Sequence, residues 1–323
     1  MILDAAIDLF LDGYFSTCRR SERTVAAYRL DLAQFAASHS KRKTLRTISP
    51  EQIERWALDL HQDGYATASV RRKLATLRVF FSYCVRKKLV AQSPLWNLRL
   101  DLGRDQRLTA TLSSEEAGRL LATAEELVRQ QLPIKPGELG QGFLALQTFT
   151  VLELLFATGI RVGEATALRL ADYLPEDDAL LIRGKGGRQR LAFLVEQRTR
   201  LLFRHFLAAR GSLPEAGPTL FLTAWAGPLR PHGVTRLLQR TARQAGLRQH
   251  VTPHMLRHTA ATLLLRNGAD LRIVQEYLGH ASISTTQRYT HITKAHLQAT
   301  LERCHPGVAL SRAQGLDFAV SSF

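Results

Sequence analysis

Residues 101–110, DLGRDQRLTA, constrain this chain more than any other stretch, because they interrupt its hydrophobic periodicity where a single core would need it continuous. Periodicity fades after Ser93 and Pro94, and the charged run beyond them offers no apolar stripe to pack. At 323 residues with 45% hydrophobic residues, the chain can bury a sizeable core on each side of the break. Two domains are predicted, with the boundary near residue 107. The first covers 1–106, with a linker at about 101–112; the second covers 107–305, and a tail spans 306–323.

Before the break, apolar residues recur at three or four positions and predict short amphipathic helices over Asp4–Asp12, Ser21–Ser38 and Thr67–Lys88. Another helix starts after Ser49, which reads as an N-cap, with Pro50 in the first turn and Gln52 completing a capping box. In the Thr67–Lys88 helix, Val70, Leu74, Leu77, Phe81 and Val85 are expected to point inward. Arg71, Arg72, Lys73 and Arg78 then form a basic face, which either lies against DNA or is an ordinary solvated surface.

After the break, Ser113 and Glu116 form a second capping box that opens a helix through about Gln131. The Pro- and Gly-rich stretch Leu132–Gly142 reads as a loop. The apolar run from Phe143 reads as a buried helix, interrupted by polar residues and so too polar to span a membrane, with Gly159 as its C-cap. ALLIR and RLAFLV flank Gly184-Lys185-Gly186-Gly187, a hairpin signal. The fold class is mainly α with a small antiparallel sheet.

A formal net charge of +16 and a pI near 10.5 point to a polyanionic partner. The excess is shared: residues 1–105 hold 18 Lys+Arg against 11 Asp+Glu, and the remainder holds 26 against 17. Cys18, Cys84 and Cys304 lie far apart without a CxxC spacing, which argues against a disulfide framework or zinc site. The N-terminal MILDAAIDLFLDGYF lacks a basic n-region and is not expected to be a signal peptide. The expectation is a cytoplasmic protein without a membrane partner.

The polar residues that carry chemistry fall in the second half. Arg161 stands where an apolar helix stops at Gly159 and a new helical pattern begins, with Glu164 three residues on. Taken alone the two read as a helix pair; joined to the histidines and the second arginine further along the chain, Arg161 presents paired donors to a phosphate. Lys185, at the tip of the hairpin, is either a turn lysine or a mobile proton donor. Arg183, Arg188 and Arg190 on the same hairpin suit phosphate contacts. In VTPHMLRHTAAT, Thr252 reads as an N-cap and Pro253 as the first helical residue, which places His254 and Arg257 on one face of a helix N-terminus, a setting prepared for an anion. His258 is expected to point about 100° away from Arg257 and to be structural. Gly279 should end the next helix and hand His280 to a loop, and Tyr289 stands beyond it in a polar setting with cationic neighbours that favour a phenolate nucleophile.

These segments, ATGIRVGEA, GKGGRQR, TPHMLRHTAAT and LGHASISTTQRYTH, together with their order and spacing, resemble the tyrosine recombinases of the phage-integrase and Xer type. The resemblance implies a helical, SAM-like core-binding domain and a mixed α/β catalytic domain that form a clamp around DNA. It implies that Tyr289 attacks the scissile phosphate to leave a 3′-phosphotyrosyl link, while Arg161 and Arg257 bind the non-bridging oxygens. His254 would act in proton transfer, Lys185 would protonate the departing 5′-oxygen, His280 would donate to the phosphate and Glu164 would support the site. Neither a Walker loop nor a metal-ligand cluster is found in the sequence, and no cofactor is implied.

The implied partner is a double-stranded recombination site held by a tetramer, of this chain alone or with a paralogue. Two departures from the family pattern stand out: Gly163 and Ala165 flank Glu164 where Ser and Leu are commoner, and the Leu132–Gly142 loop is long. Leu316, Phe318 and Val320 in the tail are expected to dock on a neighbouring protomer. Alternatives to recombination are a type IB topoisomerase-like relaxation of DNA and an inactive DNA-binding regulator.

Overall fold

A computed structural model describes residues 1–17, 22–98, 100, 102, 110–184, 189–279 and 294–307. The chain separates into two compact units, Met1–Arg107 and Leu108–Phe323.

The first unit is built from α1 (Leu3–Thr17), α2 (Glu22–Ala37), α3 (Pro50–Gln62) and α4 (Thr67–Arg86). The start of α3 is fixed by its local sequence: the Ser49 side chain accepts from the Gln52 N–H, and the Gln52 side chain returns the bond to the Ser49 N–H. α4 packs on the other three helices. Its Val70, Leu74, Leu77 and Phe81 enter a core with Phe10, Leu32, Phe35 and Trp56. Edge-on aromatic pairs knit this core, Phe10 to Phe80 at 5.5 Å and Phe35 to Trp56 at 5.0 Å between ring centroids.

The basic face expected of α4 is only partly present. Lys73 is buried, and its ammonium donates to Asp31 Oδ1 at 3.1 Å and to Gln34 Oε1. Arg72 also bonds the Asp31 carboxylate, and Thr76 Oγ1 donates to it at 3.0 Å. A carboxylate with no exposed surface must be compensated, and α4 supplies the cations. Position 73 lies three residues after Val70 and four before Leu77, on the core stripe itself, so its charge is spent inside the unit. Arg71, Arg72 and Arg78 remain exposed, Arg72 while it bonds Asp31.

The second unit is organised around α6 (Gln141–Thr158), which packs against α5 (Ser114–Arg129), α8 (Gln197–Gly211), α9 (Pro231–Gln244) and α10 (Pro253–Arg266). By length and composition α6 is apolar enough to cross a membrane, which corrects the expectation from its polar interruptions; with 78% of it buried in the unit, it is a core helix among the described residues. Its polar residues have internal partners: Gln147 bonds Leu222 through both its amide groups, and Glu153 accepts from Thr199 Oγ1 at 2.8 Å. β1 (Tyr173–Leu174), β2 (Ala179–Arg183) and β3 (Gln189–Phe193) form one antiparallel sheet in that order, with Ala179 opposite Phe193 and Arg183 opposite Gln189.

A smaller core joins the sheet to α10, α11 (Leu271–Leu278) and α12 (Lys294–Cys304) through Phe193, Leu264, Ile273, Tyr277 and Leu301. Beyond α12, His305, Pro306 and Gly307 are buried in this same unit, with His305 Nε2 2.9 Å from the Ala157 carbonyl. Leu316, Phe318 and Val320 lie outside the described residues, as does Cys18. Cys84 and Cys304 are buried free thiols, one in each unit, and burial pushes the Cys84 thiol up to about 12.

Candidate active site

The site forms where three helix ends meet. α6 stops at Gly159, whose left-handed backbone (φ 58°) turns the chain, and the ring of Tyr277 closes over it so tightly that a Cβ would stand 2.5 Å from Cε1. Arg161 then caps the short helix α7 (Val162–Ala165). Glu164 accepts from the Arg161 backbone N–H at 3.0 Å through Oε2 and from its guanidinium at 2.9 Å through Oε1. The Arg161 side chain stays 49% exposed, so the remainder of its fork is available to a ligand.

α10 brings the second cation. The Thr252 hydroxyl accepts from the Met255 N–H at 3.2 Å and Pro253 occupies the first turn, the arrangement its sequence predicts. Arg257 is buried, and its guanidinium donates to the carbonyls of Gly159 and Leu278, the latter at 2.6 Å. It thus closes the C-terminal ends of α6 and α11, where exposed carbonyls and helix dipoles favour a cation. Burial, followed by the charge of Arg161, pulls the Arg257 guanidinium down to about 10, which leaves it charged at neutral pH.

His254 stands in the first turn of α10 and titrates below its ordinary range, through burial and then through His258, Arg257 and Arg161. The imidazole is therefore biased toward its neutral, proton-accepting form at pH 7. His258 does not point away from it: the two rings meet edge to face at 4.8 Å between centroids. The 100° step separates His258 from Arg257, whereas i,i+4 spacing returns it to the face of His254.

Of the hairpin arginines, the two described ones, Arg183 and Arg190, are both ion-paired within the unit. Arg183 is half-exposed and pairs with Asp172 at 2.6 Å. Arg190 is turned inward, 14% exposed, and donates to Glu164 Oε2 at 2.9 Å. Burial alone would raise the Glu164 carboxyl, but the hydrogen bonds from Arg190 and Arg161 outweigh it and hold the group below the usual carboxylate range. Tyr277 hydrogen-bonds the Phe156 carbonyl at 3.3 Å, and burial pushes its phenol upward.

Arg161, Glu164, His254 and Arg257 are thus brought together with Arg190, while Lys185, Arg188, His280 and Tyr289 lie outside the described residues. The sequence holds a further signal that motif reasoning passed over: residues 216–269 contain no Asp or Glu and seven Arg. Five of these, Arg230, Arg236, Arg240, Arg243 and Arg248, are exposed on or beside α9, and among the described residues none is paired with a carboxylate.

Residues 111–296 match the phage integrase family, and residues 7–88 match the phage integrase N-terminal SAM-like domain. Tyrosine recombinase XerC of Anoxybacillus flavithermus is 34% identical over 306 residues, 93% of this chain and 97% of that protein. Tyrosine recombinase XerD of Oceanobacillus iheyensis is 34% identical over 292 residues, 88% of this chain and 93% of that protein. In fold, the chain is similar to the XerH site-specific recombinase solved on a palindromic difH substrate, with a TM-score of 0.67 at 21% identity over 96% of this chain and 82% of that one. With both units matched and full-length relatives above 30% identity, the chain belongs to the phage integrase family, among the Xer-type tyrosine recombinases.

Proposed function

We propose that this chain cuts and rejoins DNA at specific sites with Tyr289 as nucleophile, Arg161 and Arg257 as the phosphate clamp and His254 as the proton acceptor from the phenol. The observation that carries the reading is the convergence of two arginines and a neutral-leaning imidazole at the ends of α6, α10 and α11. Planar donors fixed in place before reaction stabilise the charge that develops on a pentacoordinate phosphorus. Lys185 protonates the departing 5′-oxygen, His280 donates to the phosphate and Glu164 holds Arg161. The phosphotyrosyl link conserves the bond energy, so a second 5′-hydroxyl reverses the step, and two rounds pass through a Holliday junction.

DNA is held by exposed cations. Arg71 and Arg78 serve in the first domain, residues 1–106, and the acid-free arginine face of α9 serves in the catalytic domain, residues 107–305. The assembly is a tetramer on two paired sites, of this chain alone or with a paralogue, in the cytoplasm where chromosomal and mobile DNA meet it. The tail beyond Gly307 reaches a neighbouring protomer. Relatives that are recombinases along nearly the whole chain favour this reading over relaxation alone or an inactive regulator.

The test uses nicked duplexes carrying a site that the wild-type protein selects from a random-sequence pool. A denaturation-resistant, 3′-linked adduct that is absent in Tyr289→Phe supports the nucleophile, and recombinant product separates recombination from relaxation. Tight binding without any adduct would reject the enzymatic reading.

A further inference from the structure

We propose that Arg190 is a positioning residue of the strand-cutting site, one that fixes Glu164, and through it Arg161, and ties the β2–β3 hairpin to the turn at Gly279. This role rests on the recombinase reading, and three observations lead to it.

The first is the sharing of one carboxylate. Glu164 Oε2 takes Arg190 Nη2 at 2.9 Å and the Arg161 backbone N–H at 3.0 Å, while Oε1 takes Arg161 Nη1 at 2.9 Å. With Oε2 occupied, Glu164 engages the Arg161 guanidinium through one oxygen, and the rest of that fork stays open to a phosphate. Without Arg190 only the Arg161 backbone N–H still holds Oε2, and the carboxylate can turn to occupy more of the Arg161 fork.

The second is the fit against Gly279, the left-handed cap of α11 (φ 63°). A Cβ at Gly279 would stand 2.6 Å from Arg190 Nε and 2.8 Å from its Cδ and Cζ. The guanidinium therefore lies on bare backbone at the residue that leads into His280, and no larger residue fits beneath it. The third is electrostatic: Arg190 bears on both Arg257 and the Tyr277 phenol, and its own buried Nε has no acceptor among the described residues. A hairpin arginine devoted to DNA phosphates would be exposed, as half of Arg183 is, rather than buried against a carboxylate.

The experiment compares wild type, Arg190→Ala, Arg190→Lys, Glu164→Gln and the Arg190→Ala/Glu164→Gln double variant, each as the full chain, on the selected nicked duplex. Duplex affinity, the single-turnover rate of adduct formation and its pH profile, and urea unfolding are measured together. Arg190→Ala is expected to bind within about threefold of wild type and to form adduct about 10- to 100-fold more slowly, the range typical of groups that orient a catalytic side chain. Arg190→Lys should recover part of the rate through a single bond to Glu164.

Because Arg190 acts through Glu164, the double variant should be no slower than the slower single one. Beneath the acid limb set by His254, the steeper fall caused by protonation of Glu164 should begin at higher pH in Arg190→Lys and be lost in Glu164→Gln while the His254 limb remains, a signature that a loss of fold would not produce. Cleavage by Arg190→Ala within threefold of wild type, or a double variant slowed by the product of the two single effects, would overturn the inference. Should Arg190→Ala unfold, Arg190→Lys paired with Glu164→Gln decides by the same two criteria. A wild-type protein that forms no adduct fails the recombinase reading and the Arg190 inference with it, whereas parity between variant and wild type removes the inference alone.

Discussion

Arg161 and Arg257 are proposed to share one chemical task, yet they hold very different amounts of structure, and replacing each by Met exposes the difference. The Arg257 guanidinium is buried and satisfies the carbonyls that end α6 and α11. Each hydrogen bond from a charged group is worth about 1.5–3 kcal/mol, so losing both costs about 3 kcal/mol or more and leaves two buried acceptors unpaired. For a unit of the size of Leu108–Phe323, that corresponds to a fall in its melting midpoint of about 6–12 °C. The Arg161 side chain is 49% exposed and its bond to Glu164 is screened, so Arg161→Met should cost less than about 1 kcal/mol. Cleavage should fall about 10²- to 10³-fold in both, since each removes a preorganised donor to the phosphate. Urea unfolding followed by far-UV circular dichroism, alongside single-turnover cleavage, reads both quantities. Equal stability losses in the two variants, or an Arg257→Met protein within about 1 kcal/mol of wild type, would refute the account of Arg257 as the bolt between two helix ends.

The same structure sets other expectations. Asp31→Ala leaves the Lys73 ammonium buried without its carboxylate and should destabilise the first unit by about 3–5 kcal/mol, while Asp31→Leu/Lys73→Met should recover most of the loss; buried Trp56 fluorescence reports that unit's unfolding. His305 is fully buried and titrates below its ordinary 6.5, through burial first, so the unfolded chain binds the proton more readily; stability should decline as pH falls below about 6.5, and His305→Gln should flatten that decline in urea titrations at about pH 5 and pH 7. His254 titrates low for a related reason, so cleavage should persist at neutral pH and fail on an acid limb below 6.5 in a pH–rate profile. Truncation after Gly307, which spares the residues buried against the catalytic unit, should impair assembly on paired sites more than binding to a single half-site in gel-shift titrations; equal loss of both would count against a tail that reaches its neighbour.

Much of the local structure was legible because it is decided within four residues. The capping boxes at Ser49 and Ser113, the cap at Thr252 and the left-handed stops at Gly159 and Gly279 each depend on neighbours in sequence and stand where their residues predict. The antiparallel hairpin was readable from two apolar runs around a Gly-rich turn. Positions of charge were harder to read, as α4 shows: a lysine on an apolar stripe looks like part of a basic face until its carboxylate is found.

The two-part organisation, the helical caps, the family and the order of the polar motifs can all be read along the chain, because each rests on local or periodic features. Tertiary structure alone decided which cations are exposed and which are bound. Lys73 meets Asp31 across 42 residues, Arg190 meets Glu164 across 26, and Arg257 reaches Gly159 across 98. Partners so distant are invisible to periodicity, because a buried charge selects its counter-ion by proximity after the helices have packed, when desolvation makes pairing compulsory.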